Sequence, residues 1–206
     1  VEGLPLKQVL GNNKVEVVIS MLLTWLLSAA IVVVILMTPT YLQKQLGIAP
    51  AVALQANSLA IVALTVGCIF FGWLNDRFSS GLIFIAGSIG LGASAYTFYH
   101  GVVADQSLLM ILYPLVGFFV GIVGAVPYVM VNAFPPAIRF SGLSFSYNLS
   151  YAIFGGLTPM VVALWLKNEP MAPCYYVMAL CGVGVLVGGW LLSQERQELT
   201  AVPEVN

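Results

Sequence analysis

Polar positions are so sparse along this chain that the charged ones divide it into six apolar runs. Stretches free of Asp, Glu, Lys and Arg cover residues 17–43, 45–75, 78–104, 106–138, 140–166 and 170–194. Each exceeds the roughly 20 residues that a helix needs to cross a bilayer. The runs predict six transmembrane helices, at Glu16–Leu42, Ala51–Leu74, Gly81–Tyr99, Gln106–Phe134, Ser141–Leu166 and Ala172–Leu192. Barrel strands are excluded despite the many Val and Ile residues, because such strands alternate apolar with polar positions and these runs do not.

Within the runs, the uncharged polar side chains fall on faces. In the fifth span Ser141, Ser144, Asn148, Tyr151, Gly155 and Thr158 recur at spacings of 3, 4, 3, 4 and 3. At about 100° per residue they occupy an arc of roughly 100°. A polar stripe on an oily helix belongs against protein or a water-filled cavity. The first span carries Ser20, Thr24, Ser28 and Thr38, and Pro39 perturbs its far end. Asn57, Ser58 and Thr65 mark the second span. The fourth places Tyr113, Gly117, Gly121, Gly124, Tyr128 and Asn132 on one arc, with Pro114 and Pro127 as kinks. The third and sixth spans are rich in glycine and poorest in polar side chains. Three helices followed by three of similar character predict an all-α integral membrane bundle, built as a 3+3 inverted repeat.

Composition agrees with this reading. Of 206 residues 60% are hydrophobic and 7% charged, against about a quarter charged in a soluble domain. A net charge of −1 leaves no basic face for nucleic acid. Lys7, Lys14, Arg77, Arg139 and Arg196 lie on one side of the six spans, and Lys44 and Lys167 on the other. That bias puts both termini in the cytoplasm of a bacterial inner-membrane protein. Residues 1–14 then form a lead-in or linker, 15–194 the bundle and 195–206 a tail. The opening on Val1 reads as a fragment or a processed chain.

Chemistry is conspicuous mainly by what is missing. Hydrolase and metalloprotease motifs are absent, the lone His100 sits at a helix end, and Cys68, Cys174 and Cys181 have no metal spacing. No enzyme, metal or cofactor is expected. Every ionisable acid or base stands at or beyond a span end. Proton coupling, which needs a titratable group inside the membrane, would have to reside elsewhere in a parent protein. Packing is the simplest account of Ser141, Thr158, Gly117, Gly121 and Gly124, and interfacial anchoring of Trp25, Trp73, Trp165 and Trp190. Asn148 and Tyr151 are larger and costlier to bury, which points them to a cavity.

The second span ends in Gly72-x-x-x-Asp76-Arg77, and Phe134-Pro135-Pro136-Ala137-Ile138-Arg139-Phe140-Ser141-Gly142 leads into the fifth. With Pro173-Cys174-Tyr175-Tyr176 opening the sixth and Pro5–Leu10 at the start, these stretches resemble the C-terminal half of a major facilitator superfamily transporter. The family is that of the metabolite:proton symporters, which includes proline/betaine transporters. The resemblance implies that the first, second, fourth and fifth spans line a transport path and that the third and sixth support them. It implies a small-molecule solute, with protons, in the intact parent. Asn148, Tyr151, Tyr128 and Asn132, with Ser144, Ser28 and Thr24, are the candidate substrate contacts. The Asp76-Arg77 turn has two readings, a pair of charges that anchors the membrane edge or a gate against the positive end of a neighbouring helix, and Gly72, Asp76, Arg77 and Arg139 are the candidate gating residues. The missing wall would come from an N-terminal half, or from a homodimer formed through the path-lining spans. The alternative is a self-associating six-helix module or channel, for which no selectivity ring is seen.

Overall fold

A computed structural model describes residues 5–201. Residues 1–4 and 202–206 of the expected lead-in and tail lie outside the described residues. The chain is all-helical, with no strand among the described residues. α1 is Pro5–Asn12, so part of the lead-in is a helix. The six spans are α2 (Lys14–Leu46), α3 (Pro50–Asn75), α4 (Ser80–Ala104), α5 (Gln106–Ala133), α6 (Arg139–Trp165) and α7 (Ala172–Ala201). All six are long and apolar enough to cross a membrane.

Helix ends follow local chemistry. α2 outruns its expected end by one turn and stops at Gly47, whose φ of 66° needs a residue without a Cβ. The Ile48 N–H returns to the Leu42 carbonyl at 3.2 Å to close that end. α3 opens on Pro50 at its first helical position, where a missing N–H costs nothing. The carboxylate of Asp105 caps the first turn of α5, and bonds from the Ser107 side chain and N–H hold it below the usual carboxylate range. α7 runs past its expected end at Leu192, and its Glu195 meets both the Ser79 hydroxyl and the Gly81 N–H at the start of α4. Unpaired N–H groups there attract a carboxylate.

The helix pairings carry the repeat. α3 packs on α5 as α6 packs on α2, and α4 packs on α5 as α7 packs on α2. α4 meets α7, and α2 meets α5. Exchanging α2 with α5, α3 with α6 and α4 with α7 returns the same set of neighbours. Successive spans alternate in direction, so that exchange also inverts them.

Burial is divided less simply than polarity implies. In α2, α4 and α5, 61%, 56% and 56% of the most apolar stretch is buried, against 33% in α7, 22% in α3 and 17% in α6. Openness is greatest on α3 and α6. The glycine-rich α4 is enclosed because its glycines admit neighbours on both flanks, with Gly81 against Gly188 and Leu192 of α7, and Gly87 against Ile122 of α5. A second, smaller core forms where Val9 of α1 meets Phe134 and Ile138 before α6.

Candidate functional site

α6 is fixed to its bundle by small residues one turn apart. Gly142, Ser146 and Ser150 are buried, and the Ser150 hydroxyl donates to the Met21 carbonyl of α2 at 2.7 Å. Residues at i, i+4 and i+8 share a face. Ser144, Asn148 and Tyr151 lie about 180° around the helix from it at 100° per residue. Asn148 and Tyr151 are exposed and Ser144 is half-buried. The Asn148 amide nitrogen donates to the Ser144 carbonyl at 2.8 Å and lies 3.3 Å from its hydroxyl. Tyr147 and Tyr151 stand beside it with ring centres 5.5 Å apart. Asn148 is nine residues into α6, about 14 Å by the helical rise and close to the middle of a hydrocarbon layer about 30 Å thick.

The stripe read from sequence does not continue along the whole helix. Residues Tyr151–Gly155 form a wide π turn, which retards the helical phase by about one residue, or 100°. Thr158, expected beside Asn148 and Tyr151, is carried round to the bundle and buried. Pro159 offers no N–H to the preceding turn, and the Thr158 hydroxyl donates to the Phe154 carbonyl there. Tyr176 of α7 bonds Thr158 at 2.9 Å and accepts from Trp25 Nε1 at 3.1 Å. Trp25 also stacks on Phe154, centroids 4.6 Å apart. Trp25 is therefore a mid-membrane packing residue, contrary to the interfacial role expected of it. Thr158→Val should lower stability by about 1 kcal/mol, because it leaves the Tyr176 hydroxyl without an acceptor. Thermal unfolding in detergent checks this, and an unchanged midpoint refutes the chain of bonds.

The other candidates lie elsewhere. Thr24 and Ser28 are fully buried between helices. Thr24 donates to the Ser20 carbonyl at 2.8 Å and touches Met130 Sδ at 3.4 Å, while Ser28 reaches the Trp25 carbonyl at 3.3 Å. Hydroxyls that return to their own helix are cheap to bury. Tyr128 and Asn132 line a hollow of about 390 Å³ with Glu16, Glu195 and Glu198, and no α6 residue borders it. The Asn132 amide donates to the Tyr128 carbonyl at 3.0 Å. The structure thus brings Asn148, Tyr151 and Ser144 together, and leaves Tyr128 and Asn132 as a separate pair.

Among the candidate gating residues, Asp76 and Arg77 are exposed in the α3–α4 turn, with the Arg77 guanidinium 4.5 Å from the Trp73 ring centre. Gly72 is half-buried, and a Cβ there would meet nothing within 4 Å. Arg139 is half-buried, and its Nε donates to the Phe134 carbonyl at 3.2 Å, tying the start of α6 to the end of α5.

Sequence reasoning missed a polar cluster in the far half of α2. A π segment at Ile31–Met37 precedes Pro39 and frees backbone carbonyls. Thr38 serves the Val33 carbonyl and pairs with the Tyr99 hydroxyl, each at 2.8 Å. The Tyr113 hydroxyl lies 2.7 Å from both the Val34 carbonyl oxygen and Asn57 Oδ1. Pro39 was the available signal. The bonded face Gly142-Ser146-Ser150 was also visible, as small residues at fourfold spacing.

A Staphylococcus aureus (strain COL) protein named "Putative proline/betaine transporter" is 32% identical over 164 residues, 72% of this chain and 33% of that protein. This chain is a homologue of the proline/betaine transporters. A Salmonella typhimurium "Proline/betaine transporter" is 31% identical over 63% of the chain and 27% of its own length. The "Ectoine/proline transporter ProP" of Corynebacterium glutamicum is 28% identical over 72% of the chain and 31% of its own length. The chain therefore spans about a third of the length of the curated transporters it matches. No family model and no solved structure matches. Six apolar helices and transporter homologues make this a multi-pass membrane protein.

Proposed function

We propose that the chain is the C-terminal six-helix half of a secondary transporter of the major facilitator type, carrying a small polar solute such as a zwitterion or organic acid. The observation that carries this reading is the placement of Asn148. A side chain costly to expose to lipid stands near mid-membrane on an open face, turned directly away from its own bundle. Such a face needs an opposing wall, and the open sides of α3 and α6 are where a missing N-terminal half would supply it. The names borne by the homologues favour proline- or betaine-like solutes.

In this mechanism Asn148, Tyr151 and Ser144 are neutral hydrogen-bonding groups on one wall of a central site. The Asn148 amide offers donors to a solute carboxylate, and the paired Tyr147 and Tyr151 rings offer π faces to an ammonium group. Transport follows from rocking this bundle against its counterpart around that site. Arg139 and the Asp76-Arg77 turn stand at the cytoplasmic side and gate it, with both termini on that side of the inner membrane. The coupled proton binds in the absent half, since no Asp, Glu, Lys, Arg or His of this chain stands near the middle of a span.

The test is uptake of labelled proline and glycine betaine by the full-length parent in vesicles, with and without a proton gradient. A gradient should raise uptake at least tenfold, and the 206-residue chain alone should give none. Uptake by that chain equal to the parent's rules out the half-transporter reading.

A further inference from the structure

At the membrane face opposite the chain termini, α2 and α6 part to leave a cleft of about 410 Å³, closed at one side by Pro173 of α7. Its lining from Val33 to Gln45 of α2 spans about 18 Å by the helical rise. That is close to half the thickness of a hydrocarbon layer about 30 Å across. The deep end is apolar, with Val33, Leu36, Met37 and Ala163. At the mouth stand Lys44 and Lys167, the two cations on this side of the protein. Neither forms an ion pair with a described residue, and no carboxylate is among the lining residues. Glu169, two residues beyond Lys167, accepts a bond from the Met171 N–H at 3.0 Å and caps the turn into α7.

We infer that this cleft holds one anionic phospholipid, its phosphate between Lys44 and Lys167 and an acyl chain lying along the apolar floor. The graded lining matches an amphiphile of that leaflet: greasy towards the bilayer centre, cationic at the headgroup level. A small anion would use the lysines and leave the floor empty. An uncharged lipid would use the floor and leave two amines unmatched. Charge complementarity and length together select the anionic lipid.

The experiment adds phosphatidylglycerol or phosphatidylcholine of identical chains to the purified, delipidated chain, and counts retained lipid by native mass spectrometry. Phosphatidylglycerol should be retained at least fivefold over phosphatidylcholine. The K44Q/K167Q double variant should lose that preference, K44R/K167R should keep it, and K14Q at the other face should leave it unchanged. Leu36→Trp, which fills the floor, should reduce retention of both lipids. Glycerophosphoglycerol, the headgroup without chains, should fail to displace the bound lipid. Equal retention of the two lipids, an unaltered preference in K44Q/K167Q, or displacement by the bare headgroup would each overturn the assignment. Monodisperse elution of every variant separates loss of binding from loss of fold.

Discussion

Gly121→Val should abolish the folded bundle, because it forces α3 and α5 apart where their backbones touch. A Cβ on Gly121 would collide with the backbone of Gly67 and Cys68. The approach is reciprocal, since a Cβ on Gly67 would strike the Phe118 carbonyl, and one on Gly117 the Ala60 carbonyl. One turn further on, a Cβ on Gly124 would sit 2.9 Å from the Cys68 carbonyl oxygen. These neighbours are main-chain atoms of regular helix, so no side-chain rotation relieves the overlap. Overpacking into side chains costs about 1–3 kcal/mol. Against two backbones the cost should exceed about 3 kcal/mol, a large share of a typical stability of 5–15 kcal/mol. Gly182→Ala and Gly189→Ala on α7 are the controls, because a Cβ there meets nothing within 4 Å. Alanine should hold or slightly raise stability by its better helix propensity. Size-exclusion profiles and unfolding midpoints report the difference. A Gly121→Val protein that melts with wild type shows that the α3–α5 contact is looser than described.

Asn148→Leu should reduce uptake by the full-length parent at least tenfold while leaving the bundle as stable as before. The two halves of that expectation rest on separate observations. Asn148 is exposed, and its bonds reach only Ser144 in the preceding turn, so nothing in the fold depends on its amide. Leucine is a better helix former and less costly to face lipid. Loss of transport would then measure a missing solute contact. Tyr151→Phe removes one hydroxyl and should cost about 1 kcal/mol, roughly fivefold. Parallel measurements of uptake and unfolding decide the matter. Normal uptake by Asn148→Leu removes this residue from the site, and a lowered midpoint makes it a structural residue instead.

The six spans were legible because charge in a bilayer is so costly that the charged residues alone mark the boundaries. Ends were less so. α2 runs on to Leu46 because Gly47 sets the stop, and α7 continues past Leu192, where Glu195 bonds the start of α4. Polarity also identified the open face of α6 correctly up to Tyr151. It failed beyond, since a fixed period of 3.6 residues cannot foresee a wide turn, and Thr158 went to the bundle. Thr24 and Ser28 look the same in sequence whether they line a cavity or bond their own backbone. Only packing separates the two cases. Trp25 was misread for a related reason: an indole N–H deep in the membrane needs a dedicated partner, and Tyr176, 151 residues away, is not visible as one in the sequence.

The irregular turns shift equivalent positions of the two halves out of step. α2 is loosened by a π segment at Ile31–Met37, while its counterpart α5 is tightened into a 3-10 turn at Gly121–Ala125. α6 carries the extra residue of its wide turn, whereas α3 runs unbroken from Pro50 to Asn75. If both halves descend from one duplicated three-helix ancestor, their equivalent positions have slipped out of register in opposite senses within single helices. A comparison that allows gaps only in loops must then pair residues on different faces, so common ancestry is best sought with gaps placed inside the membrane.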